Sequence, residues 1–208
     1  MMDFAFWIMV GFLSGSIPWS ILVGNFLAGL DVRSIGDGNP GSANVWKGSG
    51  STFGVLALVL DILKGFVPVY LGFRYLSAEE PFWGQLALSL IAFAPILGHA
   101  FSPFLKFRGG KALATTAGSW TAITAGLVVP LACLLLAVFH GIQKNHALTV
   151  TVCIVGFLLV FLPLKQEAYI GIFWLLNISL VIYKHRSEYA KGFLPRDWIS
   201  SGRFVPWQ

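Results

Sequence analysis

The chain alternates between long apolar runs and short polar, glycine-rich segments. The apolar runs fall at 4–29, 53–74, 82–98, 112–140, 147–164 and 168–184. A helix needs about 20 mostly apolar residues to cross a bilayer core. The run 112–140 is long for one crossing, and it holds Gly118, Gly126, Pro130 and the small-residue stretch AGSWTAITAG. This pattern predicts two short or tilted helices joined near 119–124, and hence seven transmembrane helices, with six as the alternative. The first run extends from Phe4 to about Leu30 behind the acidic Asp3, which predicts a retained helix rather than a cleaved signal.

Composition agrees with this pattern. Apolar residues make up 56% of the chain and charged residues 11%, and mean hydropathy is +0.76. A soluble domain carries about 25% charged residues, so the chain reads as an all-α, polytopic integral membrane protein. No segment outside the apolar runs is long enough to fold alone, so residues 1–208 are expected to form one transmembrane domain. Cys133 and Cys153 lie inside apolar runs and read as small buried hydrophobes.

Charge sets the orientation. With seven crossings, one face receives Arg33, Lys47, Lys106, Arg108, Lys111, Lys144, Lys184, Arg186, Lys191, Arg196 and Arg203. The other face receives only Arg74 and Lys165, and Lys64 lies within the second helix. Lys and Arg accumulate on the cytoplasmic side. The N-terminus is therefore expected outside, and the glycine-rich loops at the cytosolic face. Six crossings would scatter the positive charge.

Three polar segments on that face carry the candidate chemistry. In GDGNPGSANVWKG, residues 36–48, Gly36, Gly38 and Gly41 permit positive φ and close backbone approach to a ligand. Asn39, Asn44 and Ser42 add donors, and Arg33 and Lys47 flank them with positive charge. A turn-rich connector is the plainer reading. In the second segment, Gly109, Gly110 and Lys111 open an apolar helix, whose N-terminus suits an anion. There the plainer reading is that Lys106, Arg108 and Lys111 are orientation charges alone.

The third segment is YKHRSE, residues 183–188, where His185 and Arg186 close the last helix. His140 and His146 read as interfacial residues. Asp61 and Lys64, three residues apart inside the second span, can form an ion pair or serve a site. No histidine is followed five residues later by aspartate, and the sequence contains no zinc-type His/Cys cluster, no dinucleotide fingerprint and no Gly-x-Ser-x-Gly elbow.

GDGNPGSANV at 36–45, GHAFSPFLKFRGGKALAT at 98–115, YKHR at 183–186 and LDILKG at 60–65 together resemble the PlsY acyl-phosphate:glycerol-3-phosphate acyltransferases of bacteria. The resemblance covers nearly the whole chain. It implies seven transmembrane helices in the plasma membrane and a cytosolic active site. It also implies transfer of a fatty acyl group from acyl phosphate to the 1-hydroxyl of glycerol 3-phosphate, giving lysophosphatidic acid and phosphate without metal or cofactor. By position, Asn39, Asn44, Lys47, Lys111 and His185 match residues lining the phosphate and glycerol sites, with Lys111, His185 and Asn44 as the catalytic set. Gly36, Gly38, Gly41, Gly109 and Gly110 match backbone cradles, with Ser42 beside them. Two acids depart from the family pattern: Asp37 stands at the usual serine, and Glu188 where an amide donor is expected. The implied partners are acyl phosphate, glycerol 3-phosphate and membrane lipid, with no nucleic acid. A small anion transporter and a non-catalytic lipid-binding relative with an altered acceptor are the alternatives.

Overall fold

A computed structural model describes residues 2–76 and 82–201. All the extended regular elements among them are helical, and one isolated antiparallel bridge joins Gln143 to Pro195. In chain order the helices are α1 (Met2–Ser16), α2 (Trp19–Leu22), α3 (Ser42–Ser49), α4 (Ser51–Tyr75), α5 (Phe82–Ala100) and α6 (Leu113–Ile123). Then follow α7 (Val128–Ile142), α8 (His146–Lys165), α9 (Ala168–Lys184), α10 (Arg186–Tyr189) and α11 (Asp197–Ser201). A π-helical turn, Val23–Leu27, continues α2.

Four stretches are long and apolar enough to span a bilayer: Asp3–Leu27, Ser51–Tyr75, Trp83–Leu105 and His146–Lys165. Helices α7 and α9 are apolar but shorter. Many large apolar side chains point outward, among them Phe6, Leu134, Leu159 and Leu175. An outer surface of that kind is suited to lipid. Cys153 is buried, but Cys133 is exposed on α7, so the expectation that both cysteines are interior fails at Cys133. Position on a helix face, which a run of apolar residues does not reveal, decides which cysteine points inward.

The long run 112–140 does divide. Helix α6 ends at Ile123 and α7 begins at Val128, slightly beyond the 119–124 expected. Ala125 and Gly126 adopt positive φ in the intervening turn. The Thr124 hydroxyl accepts from Val128 N–H and donates to the Trp120 carbonyl, so one side chain serves both helix ends.

Close helix crossings use glycine. A Cβ on Gly118 would strike the Ile62 backbone and one on Gly65 the Thr115 backbone, which brings α4 and α6 into backbone contact. Gly15 and Gly98 do the same between α1 and α5. Trp120 anchors the core among Phe157, Phe161 and Phe173. Its indole N–H donates to Asn177, whose amide donates to Thr116, so the polar atoms brought into the core are paired. This packing places the end of α5, the start of α6 and the end of α9 side by side. Arg203, expected on the basic face, lies outside the described residues.

Candidate active site

The first glycine-rich segment folds into a tight loop before α3. Gly36 and Gly38 take φ of 59° and 71°, the left-handed region that glycine adopts without a steric penalty. Gly41 is different: its φ is −122°, and a Cβ there would lie 2.8 Å from the Asn39 amide nitrogen. Close approach, rather than positive φ, is what this glycine supplies. Between Gly36 and Gly38 the Asp37 carboxylate turns back over the loop. Its Oδ1 accepts from Asn39 N–H (3.2 Å) and from Asn44 Nδ2 (2.9 Å). Asn44 is buried and donates also to the Asn39 carbonyl at 3.0 Å. Ser42 opens α3, and Lys47 projects from it with Nζ close to Gly36.

The second segment brings Lys111 to the same place. Lys111 Nζ donates to Asp37 Oδ2 at 2.6 Å and also pairs with Glu188 Oε1. Gly109 and Gly110 are required by a contact not legible in the sequence. A Cβ on Gly109 would collide with the His99 carbonyl, and one on Gly110 with His99 Nε2. The Gly110 N–H donates to that same carbonyl at 3.2 Å. The paired glycines thus let the loop fold across the end of α5. Helix α6 starts two residues beyond Lys111, after Ala112 in the left-handed region, so Lys111 precedes the helix rather than opening it.

The third segment closes the cluster. His185 caps α9, is buried, and gives Nδ1–H to the Val181 carbonyl at 3.0 Å. A carbonyl only accepts, so the proton is on Nδ1, and Nε2 carries the lone pair when the ring is neutral. Among the described residues Nε2 has no hydrogen-bond partner. Burial depresses the His185 pKa and nearby Lys111 and His146 add to this, opposed by the Val181 hydrogen bond and Glu188. Glu188 lies on α10, held by Asn145, whose amide donates to the carbonyls of Glu188 (3.0 Å) and Gly192 (2.8 Å).

Electrostatics bind the triad Asp37–Lys111–Glu188. Partial burial would raise the Asp37 pKa, but the hydrogen bonds from Lys111, Asn44 and Asn39 outweigh it and hold the carboxyl well below the usual range. Burial likewise pulls the Lys111 ammonium down, and the two carboxylates more than restore it, leaving its pKa raised. Beside the triad opens a cleft of about 380 Å³ whose walls include Arg33, Arg108, Lys184 and Arg186. Arg33 donates to the Arg108 carbonyl (2.9 Å), and Lys184 to the carbonyls of Ala100 (2.8 Å) and Gly109 (3.1 Å). These two cations tie the loops together.

A second polar cluster lies deeper. Asp61 and Lys64 pair at 2.7 Å, with both side chains nearly inaccessible. Lys64 also donates to the Ile17 carbonyl (2.8 Å), and Ser20 to Asp61 Oδ2 (2.5 Å). His99 Nδ1 stands 4.0 Å from Asp61. Of the two roles open to this pair from sequence, the geometry favours the structural one.

The sequence-predicted residues therefore gather at one end of the helices. Asp37, Asn39, Asn44, Lys111 and Glu188 share one hydrogen-bonded network, and His185 adjoins it. Sequence reasoning missed Asn145 and the bracing role of His99. Asn145 has a local signal, since it caps α8 through Ala147 N–H, but its reach to residue 188 has none. His140 and His146 stack edge to face at 4.9 Å, apart from the triad's hydrogen bonds.

Comparison with known proteins follows the same lines. Residues 5–193 match the family model described as glycerol-3-phosphate acyltransferase. Glycerol-3-phosphate acyltransferase 1 of Thermotoga maritima is 34% identical over 203 residues, covering 90% of this chain and 98% of that protein. The enzyme of that name from Clostridium acetobutylicum is 44% identical over 128 residues, covering 59% of this chain and 65% of its own length. The crystal structure of PlsY, an integral membrane glycerol 3-phosphate acyltransferase, in its glycerol 3-phosphate form superposes with a TM-score of 0.79 at 26% identity. That match covers 99% of this chain and 96% of PlsY. The lysophosphatidic acid form gives 0.78 at 25% identity, with 99% and 95% covered. A membrane-integral helical chain with this site and these relatives belongs to the glycerol-3-phosphate acyltransferase family and is an acyltransferase.

Proposed function

We propose that this chain transfers a fatty acyl group from an acyl phosphate to the 1-hydroxyl of glycerol 3-phosphate. The hydroxyl oxygen bonds to the acyl carbon, the bond from that carbon to the phosphate oxygen breaks, and lysophosphatidic acid and inorganic phosphate form. The hydroxyl proton leaves with the phosphate, so the reaction balances without metal or cofactor. The observation that carries the reading is the meeting of three distant glycine-rich or basic segments around Lys111, in a chain of this family.

Each residue has a role in this reading. Lys111 offsets charge on the transferred or leaving phosphate, and Asn44, with Asn39 and Lys47, holds a phosphate oxygen. Neutral His185 presents Nε2 as an acceptor, which fits a substrate hydroxyl better than a phosphate oxygen. That refines the broader phosphate-binding role expected from sequence. Gly36, Gly38, Gly41 and Ser42 shape one wall, and Gly109 and Gly110 set the position of Lys111. An acyl phosphate already has a good leaving group, so positioning and electrostatic stabilisation supply most of the rate.

The membrane arrangement in this reading has seven crossings. It adds α6, α7 and α9 to the four long spans. The basic loops then face the cytosol of a bacterial plasma membrane, with the N-terminus outside.

The test is to incubate the purified protein with acyl phosphate and glycerol 3-phosphate. Lysophosphatidic acid and phosphate should appear in equal amounts. Folded protein that forms neither, or that acylates a different acceptor in preference, overturns the reading.

A further inference from the structure

The groups that suit an anion in this site already hold one. Asn39 N–H and the Asn44 amide converge on one oxygen of Asp37, and Lys111 meets the other. Three donors of two chemical kinds, from loop, helix and a second loop, thus surround a carboxylate belonging to the chain itself. Glu188 takes a further interaction from Lys111. An ammonium has three hydrogens, and two now point at carboxylates. The triad itself is net negative: the cations around the cleft draw a phosphate in, but Lys111 can receive it only when a carboxylate moves.

Asp37 is able to move. Its side chain is about half exposed, at 50%, against 17% for Glu188. Glycines in the left-handed region lie on both sides of it, so the loop has the backbone freedom to turn the carboxylate outward. Outside lies the cleft bordered by Arg33, Arg108 and Arg186. None of these arginines has an ion pair with a carboxylate among the described residues, and any of them can receive either the displaced Asp37 or an incoming anion.

We propose that Asp37 is an internal anion that fills the phosphate cradle until a substrate phosphate displaces it. On the acyl-transfer reading above, this makes Asp37 the residue that sets affinity for the phosphorylated acceptor. The ligand class is a phosphate monoester carrying two negative charges. A doubly charged group competes for Asn39, Asn44 and Lys111 better than a single carboxylate does, whereas a neutral polyol does not displace it at all. Affinity for the acceptor is then the difference between two anions competing for one set of donors.

The experiment measures binding of inorganic phosphate to the full-length protein in detergent by calorimetry, alongside acylation kinetics, for wild type, Asp37→Asn and Asp37→Ser. Asp37→Asn preserves the shape of the side chain, removes its charge and turns one of its two acceptor oxygens into a donor. Both variants should bind phosphate about tenfold more tightly, the gain of one charge-assisted interaction. KM for glycerol 3-phosphate should fall by a similar factor, with kcat changing less than about threefold. Folded Asp37→Asn that binds phosphate no more tightly than wild type overturns the proposal. So does a fall in kcat with KM unchanged. Tighter phosphate binding in a protein that acylates nothing supports the internal anion and counts against the acyl-transfer reading, so the two failures are separable.

Discussion

Two of the lysines that hold carboxylates, Lys64 and Lys111, have opposite roles because of their surroundings. Lys64 and Asp61 lie among helices, 4% and 1% exposed, with Ile17 and Ser20 supplying the remaining hydrogen bonds. Lys111 lies at the helix ends with one acid more exposed than itself and one less. The buried pair joins the α1–α2 junction to α4, beside His99 on α5. The outer triad joins two loops to α10 and can be opened by an anion. Burial makes the first pair a structural device whose loss costs folding. Exposure makes the second a competitive one whose loss changes affinity.

The largest effect should come from unbalancing the buried pair. Lys64→Ala or Asp61→Ala leaves a lone charge in the interior and should destabilise the protein by about 3–5 kcal/mol, read as a lower Tm in detergent. Replacing both with apolar residues, Asp61→Leu with Lys64→Met, should recover most of that loss. If the single and double variants are equally unstable, the pair acts through something other than charge.

Next comes the brace between the two regions. His99 stands beside Asp61 on one side and against Gly109 and Gly110 on the other. Gly109→Ala forces its new methyl into the His99 carbonyl, and the loop carrying Lys111 must shift. A misplacement of about 1 Å can cost about 100-fold in rate, so acyl transfer should drop by that order while Tm falls only slightly. Unchanged activity would show that the loop position does not matter to the reaction.

A smaller effect is expected at Asn145, which ties the Glu188 segment to the α7–α8 turn. Asn145→Ala removes two hydrogen bonds to backbone carbonyls together with the α8 cap to Ala147 N–H, and should cost about 1–3 kcal/mol. A variant with wild-type Tm would place that segment's anchoring elsewhere.

The smallest effect is that of pH on the triad. Asp37 has a folded pKa lowered from 3.8, so its stabilisation is present above that value and lost only in acid, as pH falls through the folded pKa. Lys111 has a pKa raised from 10.5, so its contribution is complete below that value and lost as pH rises through the folded pKa. Between about pH 5 and 9 both stay ionised. The ratio of phosphate affinities of Asp37→Asn and wild type should therefore be flat across that range. A slope would mean that one partner titrates inside it.

Much of this architecture is legible in the sequence because its signals are local. Apolar run length gives the helices, small residues give the break after Ile123, and glycine with asparagine marks the loop at 36–44. What escapes is set by contacts between distant segments. Asp37 and Glu188 stand out in sequence as two separate acids, but that both meet on Lys111 depends on pairings 74 and 77 residues apart. The glycines at 109 and 110 read from sequence as an anion cradle opening a helix, whereas in the fold they clear His99. Cys133 shares its run with buried residues, and only the helix face tells it apart.

Acyl transfer at the site around Lys111 rests on that lysine's charge. The most direct test compares lysophosphatidic acid formation from acyl phosphate and glycerol 3-phosphate by wild type and by Lys111→Ala. Loss of one group that stabilises developing charge costs about 100- to 1,000-fold in rate. The rate of Lys111→Ala should fall by that factor with its fold intact. Product formation at the wild-type rate in Lys111→Ala would contradict it.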